Sequence, residues 1–283
     1  MPPHTPQEIW DAVILSIDPY DILSLRSCAL VHRDWTPVSQ SCLARHRHIS
    51  IWGIEKYQLV VDRFLHSENM HLWLQGVESL RFNPEFEDWG DKRGYRFFHD
   101  FAGRLPNLRN LTISCADWKV VPHHPSTFRM FSCYSSITYL NMWQTEFPSF
   151  HAFRHAVSSL PGLTTLILYN AIYNWFPLPR NTLRLYPNKQ VRPKLRVFRV
   201  CFDVNFEDLD VLFDWLLHTP SRSSIHDLAF STLQVPAIKA YTNPLRQPSI
   251  DFVNAIAPSV STLKIDCRGR CITLQISKDP RPS

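Results

Sequence analysis

The sequence predicts an α/β protein in two parts, a three-helix segment over residues 1–50 and a repeating strand-and-crossover domain over residues 51–283. Three observations lead to this prediction. Helix-capping residues and dense apolar positions fill the first 45 residues, a spaced apolar triplet recurs from about residue 70 onward, and two alternating runs flank a glycine near the C-terminus. With 45% hydrophobic residues, a chain of 283 residues can build a substantial core.

The first helix is predicted to begin at residue 5 or 6. Thr5 and Glu8 form a capping box, and Pro6 occupies the first helical position, where its missing N–H has no cost. Asp18-Pro19 ends the helix. Its apolar residues cover two sides rather than one, and they are Ile9, Trp10, Val13, Ile14 and Ile17.

The next two helices are predicted from a second cap and a further apolar run. Asp21 precedes an apolar stretch in the position of an N-cap. The apolar residues that follow are Ile22, Leu23, Leu25, Cys28, Leu30, Val31 and Trp35. Three short helices cannot bury so many apolar side chains by themselves, so the surplus predicts a permanent partner.

This segment resembles the F-box, in the variant common in mushroom-type fungi, over about residues 4–50. The matching residues are Pro6, Glu8, Ile9, Asp21, Leu25, Cys28, Leu30, Val31, Arg33 and Trp35, whereas Thr5 stands where the family usually has leucine. The resemblance implies binding to a Skp-type adaptor and, through it, to a cullin scaffold. It places the adaptor contacts at Pro6, Ile9, Ile14, Ile22, Leu25, Leu30, Val31 and Trp35. The alternative is an ordinary helical cap on the following domain.

The second part is predicted from a repeat in which an apolar residue is followed by apolar residues three and five positions later. Its seven instances are Val77/Leu80/Phe82, Leu108/Leu111/Ile113, Ile137/Leu140/Met142, Leu163/Leu166/Leu168, Leu195/Phe198/Val200, Ile225/Leu228/Phe230 and Val260/Leu263/Ile265. Successive repeats are 26 to 35 residues apart, which fits one strand and one crossover. Helical spacing between strands, as over residues 95–105, 150–160 and 208–218, favours parallel pairing.

These repeats resemble an irregular, degenerate leucine-rich-repeat solenoid. They depart from that family where an asparagine is expected three residues after the last apolar position. The residues found there are Glu85, Ala116, Thr145, Ala171, Asp203, Leu233 and Arg268. Proline-rich connections over residues 121–131 and 176–193 favour loops over helices.

Both ends of the repeat domain are predicted to be covered. The helical segment and a linking helix, Lys56 to His66, cover the first end. At the other end, runs over residues 263–267 and 271–276 flank Gly269 and predict an antiparallel hairpin. Cys267 and Cys271 are expected to face each other near its turn. A metal site there is disfavoured, because zinc needs further ligands that the neighbouring sequence lacks.

Client binding is predicted on the sheet face that alternates with the apolar positions, because successive strand residues point to opposite sides. The candidate residues are Arg81, Asn141, Trp143, Tyr169, Arg199 and Lys264. Trp143 and Tyr169 are expected in one column on neighbouring strands, and exposed aromatic pairs are typical of interfaces. The alternative is that both pack against the irregular loop over residues 121–131.

Catalytic and nucleic-acid functions are not indicated. Glycine-rich phosphate loops and the common hydrolase and zinc-protease motifs are missing from the sequence. His151 and His155 are one helical turn apart, yet two ligands leave a metal site incomplete. The net charge of +5 is mild, and the one dense basic cluster, residues 45–48, is too short for a nucleic-acid footprint. We therefore expect a non-catalytic protein without a cofactor; an enzyme hidden in a degenerate solenoid is the less favoured alternative.

The cysteine content and the lack of long apolar runs predict an intracellular protein. Seven cysteines, an odd number, are scattered at apolar positions and are typical of reduced thiols. No uninterrupted apolar run approaches the ~20 residues that span a bilayer. Cytoplasmic or nuclear localisation without membrane association is expected.

Together, the two resemblances imply a substrate receptor of an SCF-type (cullin–RING) ubiquitin ligase. The helical segment would bind the adaptor, and the repeat domain would hold an unidentified client, which raises the client's effective concentration near the ligase. The alternative is a non-degradative interaction scaffold that uses the same two parts.

Overall fold

A computed structural model describes residues 6–17, 21–45, 48–66, 74–84, 96–118, 127–169, 193–201, 206–232, 247–267 and 270–275. Within these residues the chain forms a mixed α/β structure. Three short helices come first, and a nine-stranded sheet with helices on one face follows.

The first helices form a small unit, here called the N-terminal module (residues 6–45). It contains α1 (Gln7–Ser16), α2 (Ile22–Val31), a 3-10 turn (Arg33–Trp35) and α3 (Thr36–Arg45). Pro6 is the N-cap of α1 and offers no side-chain hydrogen bond, and Thr5, its predicted cap, lies outside the described residues. The predicted cap of α2 is confirmed, since the Ser24 N–H donates to Asp21 Oδ1 at 3.0 Å.

The sheet runs in sequence order from its first strand to its last. Its strands are β1 (His48–Trp52), β2 (Ser79–Asn83), β3 (Asn110–Ser114), β4 (Tyr139–Trp143), β5 (Thr165–Tyr169), β6 (Val197–Cys201), β7 (Asp227–Thr232), β8 (Thr262–Cys267) and β9 (Arg270–Gln275). Strands β1 to β8 are parallel, and β9 returns antiparallel to β8. The predicted parallel sheet and the terminal hairpin are both present.

Crossover segments cover one face of the sheet. They are α4 (Gly53–Val60) with a π-helical turn (Val61–Leu65), α5 (Phe97–Asp100), a 3-10 helix (Thr127–Tyr134), α6 (Phe150–Ser158), α7 (Phe206–Leu217), a 3-10 turn (Pro220–Ser223) and α8 (Gln247–Ile256). The helices expected over residues 150–160 and 208–218 are confirmed as α6 and α7. The one expected over residues 95–105 is only the four-residue α5 followed by turns, and the linking helix begins at Gly53 rather than Lys56.

The apolar triplets form the core that lies between the sheet and these segments. The middle residues are register neighbours from Leu80 to Leu263, and the first residues, Val77 to Val260, are all at most 3% exposed. Phe98 lies near the centre, stacked on Phe131 with ring centroids 4.7 Å apart and edge-on to Phe82 at 5.5 Å. Such aromatic pairs add to the stabilisation from buried area alone.

One strand precedes the seven that the repeat predicts. In β1, Ile49 and Ile51 are buried and pair in register with Leu80 and Phe82. The triplet search misses this strand because His46 stands where its first apolar residue would be. The boundary predicted at residue 50 therefore lies inside β1.

Thr145 stands at one of the positions where a leucine-rich repeat has asparagine, and its hydroxyl replaces the asparagine side chain there. Thr145 is fully buried, and its Oγ1 lies 3.3 Å from the Ile113 carbonyl and 3.2 Å from the Trp143 carbonyl. With its single hydrogen, the Thr145 hydroxyl thus donates to one of these two strand-end carbonyls at a time. Directly before it, Gln144 adopts a positive φ of 48°, and Cys115, the equivalent residue one repeat earlier, has a φ of 51°.

Candidate interaction surfaces

The N-terminal module has a small core and a large exposed apolar surface. Its buried hydrophobic residues among those described are Ile14, Leu25 and Cys42, and Trp10 packs on Trp35 with ring centroids 4.7 Å apart. Large apolar side chains lie exposed around this core, and they are Ile9, Val13, Leu15, Leu23, Leu30 and Val31. We call these six residues the module surface.

The residues of the module surface are placed by the periodicity of two helices. Ile9 and Val13 are one turn apart on α1, so they share a face, and they are 54% and 48% exposed. Leu23 and Leu30 are two turns apart on α2 and are 76% and 87% exposed. Burying such side chains is favourable by about 1.5–3 kcal/mol each, so the module surface is suited to a partner.

Two of the predicted adaptor contacts are buried, so their prediction as surface residues is wrong. Ile14 is 1% exposed and Leu25 is 0% exposed, because both point into the core of the module. Trp35 is half-buried against the same core. Pro6, Ile9, Leu30 and Val31 are exposed, and their contact with an adaptor stays a prediction; the side chain of Ile22 lies outside the described part of the structure.

The module surface also contains residues that the prediction did not name as contacts. Val13, Leu15 and Leu23 are all exposed. Val13 and Leu23 were part of the apolar surplus in the sequence, and that surplus was the signal that pointed to them. Which members of a helix that is apolar on all sides become buried depends on where the neighbouring helices pack, and no local pattern contains that information.

The sheet face opposite the crossover segments, here called the open face, carries the predicted client contacts. Ser50, Arg81, Thr112, Asn141, Ile167, Arg199, Ala229 and Lys264 are register neighbours from β1 to β8. A second row contains Trp143 and Tyr169 on adjacent strands. The structure thus brings the six predicted residues together on one face.

Their exposure and pairing differ along that face. Arg81 is exposed on β2, and Trp143 is 47% exposed on β4, so Trp143 is not enclosed by packing. Arg199 forms an ion pair with Asp227, with Nη2 and Oδ2 2.6 Å apart, and the two side chains are 34% and 17% exposed. Asn141, Tyr169 and Lys264 are half-buried.

The hairpin places its two cysteines differently from the expectation. Cys271 pairs with Asp266 and Cys267 pairs with Arg270, so Cys267 and Cys271 are not register partners. The expectation that they face each other is wrong, because only residues 268 and 269 separate the two strands and a longer loop would be needed.

The predicted histidine pair on α6 forms a close contact rather than a complete metal site. The Nε2 atoms of His151 and His155 lie 2.8 Å apart, and Arg154 Nη2 is 3.3 Å from His151 Nδ1. Burial lowers the pKa of both imidazoles, and the positive charge of Arg154 lowers the pKa further. Among the described residues, no group of three metal-binding side chains is found.

Comparison with known proteins gives no indication of function, so the module surface and the open face are the features from which function is inferred. No family model matches the chain, and no curated protein matches it. Within the described residues, none of the helices has the length and apolar character needed to cross a membrane.

Proposed function

We propose that the chain is a substrate receptor of an SCF-type ubiquitin ligase, in which the N-terminal module acts as an F-box and binds a Skp-type adaptor. The exposure of six large apolar residues on a module in which three hydrophobic residues are buried among those described is the observation that carries this proposal. A helical cap that serves only its own chain would bury these side chains against the sheet domain.

In this proposal the second part is a degenerate leucine-rich-repeat solenoid, and its open face holds the client. The apolar triplets, the parallel order of β1 to β8 and the helices on one face support a solenoid. Exposed Arg81 and Trp143 are of the residue types that dominate interface energetics. The mechanism is positional: the module tethers the chain to the adaptor, the open face retains the client, and the ligase complex supplies the chemistry.

The proposal is tested by co-purifying the full chain with the Skp-type adaptor of its host. We expect Ile9→Asp/Leu30→Asp to abolish co-purification, because each change would bury an unpaired carboxylate in the interface. The matched control is Leu59→Asp on α4, where the original leucine is 45% exposed outside the module. Circular dichroism of all three proteins establishes that each is folded.

Two outcomes decide the proposal. Adaptor binding that survives the double substitution would show that the module surface is not the docking site. Adaptor binding without ubiquitination of any captured client would favour the non-degradative scaffold, which uses the same surfaces but lacks the ligase outcome.

A further inference from the structure

A cavity lies between the 3-10 turn that precedes β7 and the end of α8, and here it is called the turn cavity. Its volume is about 570 Å³, within the range typical of small-molecule sites. One wall contributes Arg222, Ser223 and Ser224, and the other contributes Ala255, Pro258 and Ser259. Small-molecule sites are lined mostly by apolar groups, whereas this cavity is lined mainly by hydroxyl groups and a guanidinium. The lining therefore favours a polar ligand.

The wall that carries Arg222 is held in place by two buried hydroxyls. Ser221 is 0% exposed, and its Oγ donates to the Pro193 carbonyl at 2.8 Å and accepts the Leu195 N–H at 3.0 Å. Thr219 Oγ1 donates to the Leu216 carbonyl at 2.8 Å and accepts the Ser221 N–H at 3.2 Å. These bonds tie the turn to α7 and to the segment before β6, so the wall is formed without a ligand.

Arg222 is the charged group of the turn cavity. Its side chain is exposed, its guanidinium forms no hydrogen bond or ion pair with a described residue, and no described acidic residue lines the cavity. Lys194 and Arg196, in the segment before β6 that packs on the turn, are also exposed and have no ion pair among the described residues. A guanidinium matches the geometry of a phosphate or carboxylate, and further positive charge nearby attracts an anion. We therefore expect an anionic group on the ligand.

The hydroxyls next to Arg222 indicate what the rest of the ligand contains. Ser224 Oγ donates to the Leu195 carbonyl at 2.6 Å, and Ser223 Oγ donates to the Pro220 carbonyl at 3.3 Å. Because a hydroxyl has one hydrogen, these two oxygens are left as acceptors. A ligand that uses them must carry donors beside its anionic group. A sugar supplies several hydroxyl donors at once, and a phosphate dianion suits the excess of positive charge better than a carboxylate does.

We infer that the turn cavity binds a small polyhydroxylated phosphate ester, which is the chemistry of a sugar phosphate. Its phosphate pairs with Arg222, and its hydroxyls donate to Ser223 and Ser224. This ligand site goes beyond the proposed function, because neither the module surface nor the open face contributes a residue to the cavity.

Isothermal titration calorimetry with the full chain tests the inference. The probes are glucose 6-phosphate and ribose 5-phosphate, and the comparison compounds are glucose, ribose and inorganic phosphate. We expect at least one sugar phosphate to bind about tenfold or more tighter than inorganic phosphate and than its own unphosphorylated sugar, because each comparison compound lacks one set of contacts. Absence of binding by both probes, or binding no tighter than that of inorganic phosphate, would overturn the inference.

Two arginine variants locate the binding. Arg222→Gln should weaken binding of the probe about tenfold or more, because it removes the charge-assisted hydrogen bonds to the phosphate. The matched control is Arg109→Gln, which removes the same charge from an exposed arginine directly before β3, four strands from β7 on the sheet. Its binding should equal that of the unmodified chain. Equal losses in the two variants would assign binding to net charge alone, and unchanged binding by Arg222→Gln would show that the ligand lies elsewhere; either result would overturn the inference.

The same titration keeps this inference separate from the proposed function. Ile9→Asp/Leu30→Asp alters the module surface only, so it should bind the probe like the unmodified chain. If the adaptor fails to bind while the probe binds as described, the ligase proposal falls and the turn cavity stands as a ligand site. If the adaptor binds but neither sugar phosphate does, the ligand site is wrong and the ligase proposal stands.

Discussion

Leu25 and Leu30 on α2 offer a matched test of the division between the core of the module and the module surface. They are the same residue type on one helix, yet their exposed fractions are 0% and 87%. Leu25 packs in the core of the module, whereas Leu30 belongs to the module surface. Truncating each to alanine therefore separates what the module needs in order to fold from what it offers to a partner.

The expected magnitudes differ widely. Removing a buried leucine side chain costs about 2–5 kcal/mol, because transfer free energy is lost and a cavity remains. Leu30→Ala on the surface should change stability by less than about 0.5 kcal/mol. A loss of about 3 kcal/mol for Leu25→Ala corresponds to an increase of roughly a hundredfold in the opening equilibrium of the module.

Hydrogen exchange measured by mass spectrometry on the full chain reports the stability of the N-terminal module separately from that of the sheet. Peptides from residues 6–45 should exchange about a hundredfold faster in Leu25→Ala and at the unmodified rate in Leu30→Ala. Adaptor co-purification should weaken in both variants, in the first through unfolding and in the second through loss of contact. Equal exchange in the two variants would refute the assignment of Leu25 to the core and Leu30 to the surface.

Three further predictions concern the repeat domain. Phe98→Ala should lower the free energy of unfolding by about 3–5 kcal/mol, seen as a lower urea midpoint, because a fully buried ring leaves a cavity among other aromatic rings. Thr145→Val should cost about 1–2 kcal/mol in the same assay, because it removes the hydroxyl from the strand-end carbonyls. The melting temperature should fall on acidification below the ordinary histidine pKa of 6.5, and less so in His151→Gln/His155→Gln. The folded chain holds both pKa values below that of the unfolded chain, so the unfolded chain takes up more protons as the pH drops.

Each of these predictions has an outcome that contradicts it. A Phe98→Ala protein as stable as the unmodified chain would mean that the aromatic core is not formed as described. Thr145→Ser keeps the hydroxyl, so its free energy of unfolding should be higher than that of Thr145→Val. The reverse order would mean that Thr145 stabilises the fold through the packing of its methyl group and not through its hydrogen bond. Identical pH profiles with and without the histidine pair would show that the pair is as solvated in the folded chain as in the unfolded one.

The strands of the repeat domain were predictable because the spacing of apolar residues within each short segment shows which side chains are buried. A strand buried on one face needs apolar residues at fixed spacing, and that spacing appears seven times in the sequence. The register of the open face followed directly, and Arg81 and Trp143 were found with it. In contrast, β1 was missed because a single residue, His46, interrupts the triplet although Ile49 and Ile51 are buried.

The exposed apolar residues of the module were only partly predictable for a different physical reason. Its helix α2 is apolar on more than one side, so the sequence contains no polar face that would mark the solvent. Packing against α1 and α3 decides that Leu25 is buried and that Leu30 is not, and this is tertiary information. The expectation that Cys267 and Cys271 face each other was also wrong. The length of the turn sets the register of a hairpin, and here it pairs Cys267 with Arg270.

The antiparallel return of β9 ends the parallel order of the sheet at its last strand. A repeat added after β9 would have to pair with a strand that runs the other way, so a longer sheet that keeps the parallel order of β1 to β8 gains its repeats before β9. Each inserted repeat would displace everything downstream by one strand interval, about 4.8 Å. Insertions after β4 would leave the spacing of β1 to β4, which carry Arg81 and Trp143, unchanged. The length of the sheet and the arrangement of side chains on its first four strands can therefore vary independently.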